Sequence, residues 1–124
     1  MKRLFAVLFL TSSIAHLGAQ QTFAHASLVL ANPGISKILT KPPREIRLTF
    51  DDNLIKLGNS NQIRVTDASG HIVSRGQTLV VGATASIQLI ALSHFGRYLI
   101  SYRVVSADGH PVSSSYFFYF RKTA

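Results

Sequence analysis

The chain has no cysteine and no tryptophan, and its single methionine is Met1. The missing cysteine excludes disulfide scaffolds, zinc ribbons, thiol nucleophiles and iron–sulfur clusters. The missing internal methionine removes the thioether, the other soft side-chain ligand for a metal. Acidic residues are scarce, 5 against 13 Lys+Arg, which leaves a formal net charge of +8 with the 5 histidines neutral. No glycine-rich phosphate loop and no G-x-S-x-G nucleophile elbow occurs, and no amphipathic run is long enough for a substantial helix; residues 35–40 allow one helical turn at most. With 124 residues there is room for one small core, and 47% hydrophobic with 15% charged residues excludes a disordered chain.

What is present begins with an address. Lys2 and Arg3 precede the apolar run Leu4–Leu10, and Ala24 offers a small residue for cleavage. Residues 1–24 therefore read as a secretory signal peptide, and 25–124 as the mature domain. The apolar stretch is broken by Thr11, Ser12, Ser13 and His16, too short and too mixed for a membrane span. Two cuts compete, one after Ala24 and one after Ala26, and the first is expected. Without Lys2 and Arg3 the chain holds eleven basic residues against five acidic ones, a net +6. No basic run exceeds two residues, so a solvated face is expected and not a nucleic-acid footprint.

From residue 25 the hydrophobic period is two. Ile46, Leu48 and Phe50 alternate with polar residues, as do Ile63 with Val65 and Ile87 with Leu89. Tyr98, Ile100, Tyr102 and Val104 share one face, and so do Tyr116, Phe118 and Phe120. Turn signals separate these runs at Asn32-Pro33-Gly34, Lys41-Pro42-Pro43, Asp67-Ala68-Ser69-Gly70, Val81-Gly82-Ala83 and Asp108-Gly109-His110-Pro111. About seven short strands of this kind predict an all-β, single-domain antiparallel sandwich or Greek-key barrel, with the aromatics of the last two strands in its core.

The remaining chemistry rests on histidines and carboxylates. Asp51 and Asp52 are adjacent and, on a strand, point to opposite faces, so they read as a polar strand end. His71 and His94 lack ligand-type neighbours at a useful spacing and read as surface or loop residues. His25 would start the mature chain and offer its free α-amine and its ring nitrogen to one metal. In an extended segment Asp108 and His110, at i and i+2, face one side. Together these three residues supply three nitrogens and one oxygen, a donor set that suits tetragonal Cu(II). Taken as residues alone, Asp108-Gly109 is more often an ordinary hairpin turn pair, and a histidine after a signal peptide is more often coincidence.

The stretch Tyr102-Arg103-Val104-Val105-Ser106-Ala107-Asp108-Gly109-His110-Pro111-Val112 resembles the hallmark segment of the CopC family of periplasmic copper-binding proteins. His25-Ala26-Ser27-Leu28, Pro42–Phe50 and Val65–Gly70 resemble that family's opening, second strand and third strand with its turn. The resemblance implies a cupredoxin-like or immunoglobulin-like β-barrel. It implies one Cu(II) per chain on His25, Asp108 and His110, a periplasmic location, and copper transfer to an inner-membrane CopD-type partner. The family's Met-rich Cu(I) site has no counterpart here. The expected protein is a monomeric copper carrier or buffer for homeostasis or resistance, not an enzyme. Two alternatives stand beside it: a metal-free secreted adhesion or structural module, and an oxidative copper enzyme.

Overall fold

The computed structural model describes residues 26–123. The expected signal segment and His25 lie outside the described residues. Eight strands run in chain order: β1 (Leu28–Asn32), β2 (Ile38–Leu39), β3 (Glu45–Phe50), β4 (Gln62–Thr66), β5 (Ser74–Val81), β6 (Thr84–Leu89), β7 (Gly96–Val105) and β8 (Pro111–Phe120). They form two four-stranded sheets, β1-β3-β6-β5 and β2-β8-β7-β4, packed as a sandwich. The expected all-β architecture holds. The segment 35–40 does not make a helical turn. It bends and then forms β2, which lies parallel to β8 with Ile38 opposite Tyr119 and Leu39 opposite Phe120.

The period-two pattern sorts residues between core and water. Ile46 and Leu48 of β3, Ile100 and Val104 of β7, Val65 and Phe118 are completely buried, while their strand neighbours Arg47, Arg64 and Arg103 are exposed. The aromatics pack between the sheets as expected. Tyr98 stacks on Phe118 at 5.2 Å between centroids, and Phe50 meets Tyr102 edge-on at 5.6 Å. Such pairs add about 0.5–1.5 kcal/mol each beyond their buried area.

Side chains close one flank of the sandwich. The Ile63 amide donates to Thr78 Oγ1 at 2.9 Å, and the Val65 amide donates to Ser74 Oγ at 3.1 Å, so β4 in one sheet is joined to β5 in the other. On the opposite flank the buried hydroxyl of Tyr116 donates to the carbonyl of Pro33 at 2.8 Å, which fixes the exit of β1 over β8. The longest ladder is the β7–β8 hairpin, ten paired positions from Gly96–Phe120 to Val105–Pro111. It carries the segment 106–110 out at one end as a stiff arm.

Candidate metal centre

Asp108 and His110 sit in the connection between β7 and β8. This connection is a turn and not the extended segment expected from the i, i+2 spacing. The Ser106 amide donates to the His110 carbonyl at 3.0 Å, and the Gly109 amide donates to the Ser106 carbonyl at 2.8 Å. Gly109 takes φ +88°, a conformation that disfavours any side chain, and this explains the glycine between the two functional residues. The two side chains nevertheless converge, for a different reason. Asp108 Oδ1 accepts the His110 amide at 3.2 Å, an Asx-type bond that curls the turn, and this leaves Asp108 Oδ2 3.1 Å from His110 Nδ1. Both side chains remain about one-third exposed, while the His110 Nδ1 atom that faces the carboxylate is itself buried.

Ser106 organises the pair from below. It is completely buried, and its hydroxyl donates to Asp108 Oδ1 and also faces the His110 carbonyl at 3.2 Å. This hydroxyl is the main reason the Asp108 carboxyl is held below the usual carboxylate range; the His110 amide and ring add to it, while partial desolvation opposes it. The carboxylate is therefore ionised and ready for a cation at any ordinary pH.

A third segment carries the chain start to the same place. The Ser27 amide donates to Asp51 Oδ1 at 2.6 Å, and the Asp51 amide returns a bond to the Ser27 carbonyl at 2.9 Å. Two residues on, the Asn53 carbonyl accepts the Ala107 amide at 2.8 Å, and Leu54 forms a β-bridge with Ser106. The stretch 51–54 thus ties Ser27 to the hairpin turn at one end of the sandwich. Ala26 is buried in the core there. Asn61 completes the support: its Oδ1 accepts the Val105 amide at 2.9 Å and its amide group donates to the Ile55 carbonyl.

Of the three expected metal-site residues, the structure brings Asp108 and His110 together, and His25 lies outside the described residues. Among the described residues no group of three or more His, Asp or Glu is placed to hold a metal. Asp51 does not act as a paired carboxylate with Asp52. It caps the start of β1, while Asp52 accepts the Asn53 amide at 2.8 Å. His71 and His94 are exposed loop residues, as expected. They line one cavity of about 280 Å³ with Asp67 and Tyr98, near the start of β7 and so at the other end of the hairpin from Asp108. The buried Ser106 and the distant Asn53 and Asn61 carry no local sequence pattern that marks a role, although Ser106 stands inside the hallmark string.

A family model described as the CopC domain matches residues 28–121. Solved structures agree. The chain is similar to CopC from Methylosinus trichosporium OB3b, with 26% identity, a TM-score of 0.66, and coverage of 77% of this chain and 93% of that one. It is also similar to PcoC, a methionine-rich copper resistance protein from Escherichia coli, with 23% identity and a TM-score of 0.65 over 79% of this chain and 100% of that one; at that identity the likeness is one of fold. Among curated protein sequences none matches the chain.

Proposed function

The chain belongs to the CopC family, and from that premise we propose that it is a periplasmic copper-binding protein of copper resistance or homeostasis, which holds one Cu(II) and passes it to an inner-membrane CopD-type partner. The observation that carries this reading is the meeting of the Asp108 carboxylate and the His110 imidazole, 3.1 Å apart, in the turn that the family match covers. Copper is the cargo. His110 offers an imidazole nitrogen and Asp108 an anionic oxygen, and His25 offers an amine and a second imidazole, one residue before the anchored Ala26. Mixed nitrogen and oxygen ligation suits Cu(II), the divalent ion with the highest affinity in its row.

This donor set contains no sulfur. Where the related PcoC is methionine-rich, this chain has Met1 alone, so its cargo is the oxidised ion. A carrier or buffer accounts for the site better than an oxidative enzyme, because Asp108 would add a carboxylate ligand where dioxygen chemistry would need an open position. Removal of a signal peptide before His25 is part of the reading, since only a free α-amine completes the set.

The test is a titration of the processed protein with Cu(II), followed by electron paramagnetic resonance. One equivalent should give a nitrogen-rich tetragonal spectrum, and His110→Ala should weaken binding by orders of magnitude. Wild-type affinity in that variant would refute the site.

A further inference from the structure

The eleven basic residues of the mature chain are scattered in sequence, but strand register gathers part of them. The second sheet, β2-β8-β7-β4, turns Arg97 and Arg103 of β7 and Arg64 of β4 to its outer face, and Arg121 follows at the end of β8. Arg64 lies opposite Ser101, whose other neighbour is Ser115; Arg103 lies opposite Ser113, and Arg97 opposite Tyr119. All four arginines are exposed. From Arg97 to Arg103 the face extends about 20 Å along β7.

The outer face of the first sheet is different. There Arg47 pairs with Glu45 at 2.9 Å, and Gln88 bonds the same carboxylate at 3.3 Å. The other four acids, Asp51, Asp52, Asp67 and Asp108, stand in turns at the strand ends. No carboxylate among the described residues lies on the outer face of the second sheet. The face itself carries charge of one sign; Asp67 borders it at the end where it lines a cavity together with Arg97.

Aromatic rings lie between these charges. The Arg97 guanidinium sits over the Phe117 ring at 4.3 Å, and that of Arg121 over the Tyr119 ring at 5.2 Å. Both rings are half-buried on this face. A guanidinium spread on a ring keeps its N–H groups directed outward while it covers an apolar surface.

We propose that this face is a docking surface for a bilayer of acidic phospholipids. Guanidinium forks match phosphate oxygens in geometry, and the serine hydroxyls between them add neutral donors. Tyrosine and phenylalanine beside cations suit the boundary between headgroups and acyl chains. On this face Arg64, Ser101 and Arg103 line a wide-open cavity of about 290 Å³, which is not an enclosed groove that would select one peptide. A field of laterally mobile phosphates meets four fixed charges without needing a shaped partner. Such docking is independent of copper, and it holds the protein at the surface where a membrane-bound acceptor would stand.

The experiment is co-sedimentation of the processed protein with vesicles of phosphatidylcholine, with and without phosphatidylglycerol. Partitioning should require phosphatidylglycerol and should vanish in high salt. At roughly fivefold per arginine, the variant R64Q/R97Q/R103Q/R121Q should lose several hundredfold in partitioning. R64Q/R103Q, which leaves both ring-stacked arginines in place, should lose roughly 25-fold and guards against misfolding of the larger variant. A control at the first sheet, R44Q/R47Q/R75Q, should keep most of the binding. An equal loss in the control, equal binding to neutral vesicles, or binding to soluble polyglutamate but not to vesicles would each overturn the proposal. Copper titration of the same variants should be unchanged, so failure here and failure of the copper site are read separately.

Discussion

Asp108 Oδ2 stands 3.1 Å from His110 Nδ1, while the other oxygen of the same carboxylate takes the Ser106 hydroxyl and the His110 amide. One carboxylate thus has a structural oxygen turned inward and an outer oxygen turned to the imidazole. The inner oxygen shapes the turn, and the outer one is free to share an ion with the histidine or to orient its ring. The two duties can be separated. Asp108→Asn keeps a carbonyl oxygen for the turn but loses the charge; Asp108→Ala loses both. We expect Asn to retain the wild-type melting temperature within a few degrees and to weaken Cu(II) binding, and Ala to lose both properties. Parallel melting curves and copper competition titrations decide; wild-type copper affinity in the Asn variant would remove the carboxylate from the site.

Ser106 is predicted to act on copper without touching it. Its hydroxyl is the main cause of the lowered Asp108 carboxyl. Ser106→Ala should raise that carboxyl toward its ordinary value, seen as a shifted midpoint in a carbon-detected NMR titration of the Asp108 side chain. The stability cost should be modest, about 1 kcal/mol, because the carboxylate left behind is open to water. Copper affinity should fall because the carboxylate is no longer held toward the imidazole. An unmoved Asp108 titration would show that the backbone alone sets the turn.

These roles mark where sequence reading succeeds and stops. A period of two is a local property, so β3, β4, β6, β7 and β8 and most of their inward residues are legible one strand at a time. Two-residue β2 is not, because its only reason to be a strand is its parallel pairing with Tyr119 and Phe120, some eighty residues away. Asp108 and His110 are legible as a pair, but their convergence comes from a turn bond and not from strand alternation. Asn61 and Asn53 support the turn from 44 and 54 positions away, at Val105 and Ala107. No local pattern marks an asparagine whose partner is a distant backbone amide.

Acid should loosen the fold through Asp67 as well as Asp108. Asp67 Oδ1 accepts the amides of Ser69 and His71, each at 2.9 Å, and the His71 bond is the main cause of its lowered carboxyl. The folded value lies below the unfolded one, so the sign is fixed. The stabilisation is full above an ordinary carboxylate's range, about pH 4, and is lost as pH falls through the lower folded value. Melting temperature should therefore drop on acidification below about pH 4. Asp67→Asn should flatten that limb while lowering stability at neutral pH. An unchanged acid limb in this variant would assign the loss to other groups.

Copper is expected to load a fold that already stands. Twenty hydrophobic residues among those described are buried in one cluster, from Ala26 to Phe120. A core of this kind needs no ion to form. The metal-free protein should show β-sheet circular dichroism and a cooperative melt, and copper at a hundred times its Kd should add about 2.7 kcal/mol by mass action. A metal-free form without cooperative melting would contradict this.

The burial of Ala26 leads to a prediction about the mature N-terminus. A cut after Ala26 satisfies the small-x-small pattern through Ala24 at −3, yet it would discard a residue that is 2% exposed. It would also turn the Ser27 amide, which donates to Asp51 at 2.6 Å, into a charged terminus. A cut after Ala24, with Thr22 at −3, keeps Ala26 in the core and leaves the Ser27–Asp51 pair intact. It places His25 first, one residue from the anchored segment that reaches the Asp108 turn. The small alanine side chain makes the packing loss moderate, but the copper consequence is complete, since a start at Ser27 removes one imidazole and moves the free amine. Intact mass of the protein recovered from the periplasmic fraction should correspond to a start at His25. A variant extended by one residue before His25 should then bind copper far more weakly, with an unchanged melting temperature in the metal-free form. A mass that begins at Ser27 would leave Asp108 and His110 as a two-donor site and would sink the proposed amine–imidazole chelate.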